Sequence, residues 1–326
     1  MIDIIVPVYN TPINDLKRCL ESIEKQTFKD YKVYIIDDGS FDEVKGFLDE
    51  YVRDKNNFIV KHVVNGGVSR ARNIGIECSS SEYVTFVDSD DTIEENFLEE
   101  AFSLIRDNDL DLVVGGYNEV KNGEVVKIRK CDDGFYIYDE SNLNLVKDKL
   151  LSGKLKEDNK NIGSLPTGRI YTRIYKRSVL GDLRFNSSLG MSEDTLFMID
   201  FMDRVKRIGL SSSVWYNYYI NDYSISRRRV NDKVIKDHMM FIEEVYKRLL
   251  REDDLRIKNA YVFRVFKSLI NLVDLIKSSD NCDSTLNMVL HNPMFSCLKD
   301  LDISGYINVS DKEVEFLNNY IALYVV

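Results

Sequence analysis

Over the first 116 residues, short β-branched and aromatic runs alternate with stretches whose apolar residues recur at helical spacing, and this rhythm restricts the possible folds more than any other feature. Runs at 2–8, 31–37, 58–64, 82–88 and 111–115 read as strands. Between them, Leu16, Leu20 and Ile23 share one helical face and Val44, Phe47, Leu48 and Tyr51 another, followed by Ser69–Cys78 and Glu94–Ile105. Strands that alternate with helices across short connections form an α/β unit with a parallel sheet and right-handed crossovers. Ligands of open α/β sheets gather at the carboxyl ends of the strands, so the residues leaving each strand matter most.

Tyr83-Val84-Thr85-Phe86-Val87 runs straight into Asp88, Asp90 and Asp91. Crowded carboxylates repel unless a cation joins them, and hard oxygen ligands with room for water and phosphate suit Mg²⁺ or Mn²⁺. The same letters also read as a solvated helix start, with Asp91-Thr92 ahead of Glu94 and Glu95. Val6-Pro7-Val8-Tyr9-Asn10 ends the first strand, and a proline there predicts an edge or an opened strand end, with Tyr9 placed to stack on a planar ring. Asp37-Asp38-Gly39-Ser40 ends the second: either carboxylate can accept from a base imide or a ribose hydroxyl, and an Asx-capped turn explains the same residues. Asn65-Gly66-Gly67 ahead of a helix carrying Arg70 and Arg72 offers backbone N–H groups and positive charge to a diphosphate. Neither a P-loop nor a GxGxxG pattern is present.

The rest of the chain is less regular. Glu119–Ile128 alternates about Asn122-Gly123 as a hairpin, and from about Val234 the chain reads as helices, including Met239–Leu250 and Tyr261–Ile276, with a loop at Ser278–Asp283. A net charge of −10 argues against nucleic acid as a partner. The five scattered cysteines form no CxxC pair and suit a reducing cytosol. No apolar run approaches a membrane span, and the strand-like start leaves no signal peptide, so a cytoplasmic location is expected. Lys233, Lys236, Lys247, Arg248 and Arg251, interrupted by acids, leave two readings of the C-terminal helices: self-association, or peripheral contact with the inner face of the membrane.

In this order and spacing, the Val6–Asn10, Asp37–Ser40, Ser69–Gly75 and Phe86–Asp91 segments strongly resemble the family 2 glycosyltransferases of GT-A fold. The resemblance is close over 1–116 and looser to about residue 229. It implies a GT-A domain over 1–231, with a nucleotide-sugar half (1–116) and an acceptor and catalytic-base half (117–231), and a helical region over 232–326. It further implies that Pro7, Val8, Tyr9 and Asp38, supported by Asp37, form the base pocket, that Arg70 or Arg72 faces the nucleotide, and that Asp88 and Ser89 meet the ribose side. Asp90, with Asp88, would hold Mn²⁺ or Mg²⁺.

Met191-Ser192-Glu193-Asp194-Thr195-Leu196-Phe197 is similar to the family's catalytic-base segment, with Ser192 as helix cap and Asp194 favoured over Glu193. Trp215–Arg228 looks like its aromatic strand and lid, which implies phosphate contacts from Ser224, Ser226, Arg227 or Arg228, although Ile220 stands where many relatives carry arginine or histidine. The QxxRW signature of processive members is absent, so one sugar per encounter is expected. The implied reaction is inverting transfer from a nucleotide-diphosphate sugar, a UDP-hexose or UDP-N-acetylhexosamine, to a hydroxyl of a glycan, lipid-linked or glycoprotein acceptor of the bacterial surface. Two alternatives stand beside it: a sugar nucleotidyltransferase, which usually carries a Gly-rich basic loop where Val8-Tyr9-Asn10-Thr11 lies here, and a non-catalytic scaffold of the same fold.

Overall fold

A computed structural model describes residues 1–165, 168–221, 232–277 and 282–324. The first half runs β1 (Ile2–Val8), α1 (Ile13–Glu24), β2 (Tyr31–Asp37), α2 (Asp42–Val52), β3 (Phe58–His62), α3 (Val68–Cys78), β4 (Tyr83–Phe86), β5 (Thr92–Ile93), α4 (Phe97–Asp107) and β6 (Leu112–Lys121). Next come β7 (Glu124–Arg129), β8 (Phe135–Tyr138), α5 (Leu143–Ser152), β9 (Leu155–Lys156), a 3₁₀ turn (Glu157–Ile162), β10 (Arg173–Lys176), α6 (Arg177–Leu180), α7 (Glu193–Met202) and β11 (Ile208–Tyr219). The chain closes with α8 (Asp232–Leu249), α9 (Leu255–Lys277), α10 (Cys282–Leu290), a second 3₁₀ segment (Pro293–Asp300), β12 (Tyr306–Ile307) and α11 (Asp311–Tyr324).

The large sheet has the order β3-β2-β1-β4-β10-β6-β11-β5, with β7 beside β6 and β8 beside β11. Strands β3, β2, β1 and β4 are parallel, and the short β10 enters antiparallel between β4 and β6. The expected α/β GT-A architecture, a mostly parallel sheet flanked by helices, is therefore present. Contrary to the edge reading of Pro7, β1 is central. Along it, Ile5 bonds toward β4 through the Val87 N–H (3.0 Å) and Val8 toward β2 through the Asp38 N–H (2.8 Å). This alternation turns Pro7's missing donor toward β4, beyond the last β1–β4 pair, Ile5 with Phe86, where no ladder bond is lost.

Two other boundaries differ from expectation. Strand β6 continues through Gly115-Gly116 because Gly115 makes room for the buried Trp215 ring: a Cβ there would lie 2.2 Å from the indole. The helix expected from Glu94 begins at Phe97, because β11 captures Thr92–Ile93 as a strand and the Trp215 carbonyl accepts the Glu94 N–H at 2.9 Å. The Asn122-Gly123 turn does close the β6–β7 hairpin, with φ of 53° and 82° as a type I′ turn requires.

One apolar cluster runs from Ile5, Val84 and Phe86 through Phe197 and Phe201 of α7 to Phe241, Val265 and Phe266 of α8 and α9, packing the C-terminal helices on the sheet layer. Glu313 pins α11 to this body through Lys267 (2.6 Å), Lys154 (3.2 Å) and the Ser310 N–H (2.8 Å). Burial works to raise the Glu313 carboxyl, but Lys267 and Ser310 outweigh it and bring its pKa to about 2. An unfolded glutamate titrates near about 4.3, so this carboxylate stabilises the fold above that pH and the contribution fades as pH falls from about 4.3 toward 2. Glu313→Gln is expected to lower stability at pH 7 by at most about 3 kcal/mol and to flatten this part of the acid limb, as urea midpoints between pH 2 and 7 would record.

Candidate active site

The exits of β1, β2 and β4 meet at one edge and are tied together before any ligand arrives. Asn10 takes φ 50°, which turns its N–H to Ser40 Oγ (2.9 Å) and its Oδ1 to the Phe41 N–H (2.8 Å). Asp37 is buried, and both oxygens are engaged: Oδ1 accepts from the Ser40 N–H at 3.0 Å and Oδ2 meets His62 Nδ1 at 2.7 Å. Asp38 accepts the Gly66 and Gly67 N–H groups at 2.8 and 2.7 Å. The glycine N–H groups expected to await a diphosphate are therefore spent on Asp38, and the two aspartates build the pocket wall. Gly39 permits this closeness, since a Cβ there would lie 2.8 Å from the Asn65 nitrogen. Pro7 and Val8 are buried beneath, and Tyr9, 51% exposed, stands open at this edge.

The two arginines of α3 part company. Arg70 is exposed and donates to the Val64 carbonyl at 2.5 Å, beside Gly66. Arg72 is buried and spans two carboxylates: Nη2 to Asp88 Oδ1 at 2.9 Å and Nη1 to Glu193 Oε1 at 2.8 Å. Burial opposes its charge, yet Asp88 and Glu193 raise its pKa above the usual guanidinium value.

Among the three clustered aspartates, each has its own surroundings. Asp91 is not a helix starter: it is buried and accepts the Tyr216 hydroxyl (2.8 Å) and the Tyr219 N–H (2.8 Å). Burial, then Asp90 and Asp88, push its pKa well up. Asp90 is raised for the same two kinds of reason, burial first and Asp88 second; Asn221 Nδ2 reaches its Oδ2 at 3.3 Å, and Arg18 holds its carbonyl at 2.9 Å. The Tyr216 hydroxyl also accepts the Asp88 N–H (3.1 Å), while the Ser89 hydroxyl is shared with Thr11 at 2.7 Å. Among the described residues, no three His, Cys, Asp or Glu side chains are grouped to hold an ion. Asp88 and Asp90 can supply two oxygen ligands, and Mg²⁺ or Mn²⁺ would take the remainder from phosphate and water, which is how Mg²⁺ is usually held.

Glu193 and Asp194 open α7, as the acidic pair predicts, but Ser192 does not cap it: with φ 60° its side chain makes no cap bond, and its carbonyl accepts from Leu196 instead. Glu193 is committed to Arg72, and burial, then Asp194, raise its pKa. Asp194 Oδ1 accepts the Thr195 N–H at 2.7 Å, and Oδ2 lies 3.5 Å from the half-exposed Arg169. Asn73 of α3 fixes the approach to this pair through both backbone groups of Phe185 (2.8 and 2.9 Å), whose ring stacks on Phe197 at 3.9 Å. Ser224, Ser226, Arg227 and Arg228 lie outside the described residues. Arg18, Asn73, Arg169, Tyr216 and Asn221 were missed in the sequence because each acts on a residue at least 25 positions away.

The model of glycosyl transferase family 2 matches residues 3–183. Glycosyltransferase GlyG of Streptococcus pneumoniae is 35% identical over 139 residues, a match spanning 42% of this chain and 43% of that protein. Poly(ribitol-phosphate) beta-N-acetylglucosaminyltransferase TarP of Staphylococcus aureus is 28% identical over 314 residues, covering 88% of this chain and 89% of its own. Among solved structures, S. aureus TarS 1–349 in complex with UDP-GlcNAc superposes with a TM-score of 0.64 at 22% identity, covering 88% of this chain and 83% of that one. The chain belongs to glycosyl transferase family 2, and its fold is GT-A.

Proposed function

We propose that this chain transfers a hexose or N-acetylhexosamine from a UDP-sugar to an acceptor hydroxyl, with inversion and one sugar per encounter, in making a bacterial surface polymer or glycoprotein. One observation carries the reading: Arg72 joins Asp88, at the donor edge of the sheet, to Glu193, beside Asp194 on α7, so the two halves of a transfer site share one cation. The pair lies beyond the matched 3–183, and its assignment rests on this geometry. The UDP-GlcNAc complex of TarS supports a UDP-sugar donor, and the name of TarP, a poly(ribitol-phosphate) beta-N-acetylglucosaminyltransferase, supports a polymer acceptor.

In this reading Tyr9 stacks on the base and Asp37 and Asp38 keep the pocket wall in place. Asp194 takes the acceptor proton as the hydroxyl attacks the anomeric carbon from the face opposite the leaving UDP. Arg72 pairs with Glu193 and turns it from the acceptor. A divalent ion on Asp88 and Asp90 would offset charge growing on the departing diphosphate. Catalysis at the cytoplasmic face of the membrane fits the acceptor classes; no helix of the described residues is long and apolar enough to cross a bilayer.

A panel of UDP-glucose, UDP-galactose and their N-acetylated forms with Mn²⁺ tests the donor: release of UDP from at least one is expected, and failure of all four would sink the UDP-hexose reading. Asp90→Asn is expected to cut Mn²⁺-stimulated UDP release by roughly 10²-fold or more, measured beside wild type at saturating donor.

A further inference from the structure

Although the whole chain is strongly acidic, cations gather where the end of β7, the last turn of α5 and the middle of α9 meet. Arg264 of α9 donates from Nη2 to the Leu150 carbonyl at 2.6 Å, which sets its guanidinium on the last turn of α5. Its Nε is buried without a hydrogen-bond partner, and it forms no ion pair among the described residues. Lys149, one residue before Leu150, donates to the Gly153 carbonyl at 3.0 Å and feels Arg264, Arg129 and Lys154. Two of those cations are already paired, Arg129 with Glu119 at 2.7 Å and Lys154 with Glu313 at 3.2 Å. The carboxylate whose field reaches Arg264 is Asp194.

A buried guanidinium without a carboxylate is expensive to keep, and an anion arriving from outside removes the expense. The charge states agree: burial, then the neighbouring cations, hold Lys149 down to about 8, and burial holds Arg264 at about 10. A guanidinium N–H beside an ammonium offers more donors than one carboxylate can use and suits the several oxygens of a phosphate. We propose that Lys149 and Arg264 form a phosphate-binding subsite on the acceptor side of Asp194, for an acceptor that carries phosphate near the hydroxyl to be glycosylated. This rests on Asp194 as the base facing the acceptor. A phosphate seated there would hold the acceptor beside that base, and Arg169, 3.5 Å from Asp194, would add attraction along the way.

The test is calorimetric titration of the full chain with a glycerol phosphate oligomer (a diester), glycerol 3-phosphate (a monoester), oligogalacturonate and maltohexaose. The diester oligomer is expected to bind best, with affinity falling about tenfold in Lys149→Gln and at least as much in Arg264→Gln, the scale of one charge-assisted hydrogen bond. Tighter binding of the monoester would still support the subsite and assign it to a terminal phosphate. Arg264→Gln also loses a helix contact, so Lys149→Gln, checked for an unchanged melting temperature, decides if the first variant unfolds. Absent binding of both phosphates, equal affinity in Lys149→Gln and wild type, or preference for galacturonate or maltohexaose would each overturn the proposal. UDP is titrated separately with Mn²⁺: its failure to bind wild type would refute the donor reading while leaving the phosphate titration to judge the subsite.

Discussion

An Asp194→Asn variant is expected to bind UDP as wild type does and to lose roughly 10²- to 10⁴-fold in transfer, the usual range for removing a general base. Asparagine keeps the shape and the acceptor that holds the Thr195 N–H at 2.7 Å, so the start of α7 should survive. What disappears is the oxygen facing the half-exposed Arg169 at 3.5 Å, a looser partner than the 2.8 Å bond that commits Glu193 to Arg72. That difference is the reason to assign the proton to Asp194. Glu193→Gln should instead act through Arg72, with a smaller fall in kcat and a measurable drop in stability. Initial rates at saturating donor and acceptor, with urea midpoints for both variants, separate the two. Near-complete loss in Glu193→Gln with a mild effect in Asp194→Asn would exchange the roles.

The parallel half of the sheet was legible because strands buried on both faces read as nearly continuous apolar runs: Ile2–Val8, interrupted by Asp3, is buried throughout, and Tyr31–Asp37 nearly so. The acids after β4 were legible for a related reason, since a buried strand that ends in Asp88 and Asp90 must deliver them to the sheet's edge. Asp91 was not. Its role is fixed by Tyr216 and the Tyr219 N–H, more than 120 residues on, and only the pairing of β5 with β11 brings them near. Strand β10 escaped notice because four residues, Arg-Ile-Tyr-Lys, carry no period of their own and take their place from β4 and β6. The choice between Arg70 and Arg72 was open to a closer reading of α3. Ala71, Arg72, Gly75 and Ile76 lie on its buried side, while Arg70 points away. Gly75 marks that side most clearly, since a Cβ there would come within 2.3 Å of Ile5.

Arg72→Met is the substitution expected to do most harm, because it removes the cation from among the acids while leaving the volume filled. Breaking a buried pair by taking one partner away costs about 3–5 kcal/mol, and here one side chain serves Asp88 and Glu193 together. Glu193 should respond most. Burial and Asp194 already raise its pKa against the opposing pull of Arg72, and without that pull only a backbone hydrogen bond still acts downward. A carboxyl whose folded pKa exceeds its unfolded value favours folding when protonated, so its stabilising contribution is complete below about pH 4.3 and is lost as pH climbs through the raised value. The variant should therefore be less stable at pH 8 than at pH 5 relative to wild type, the opposite sense to the Glu313 effect. Adding Glu193→Gln to Arg72→Met should recover part of the loss and much of this slope, since it removes the buried acid left without a partner. Urea midpoints of the three proteins between pH 5 and 8 give the answer: if Arg72→Met unfolds where wild type does, its guanidinium is not what ties the donor edge of the sheet to α7.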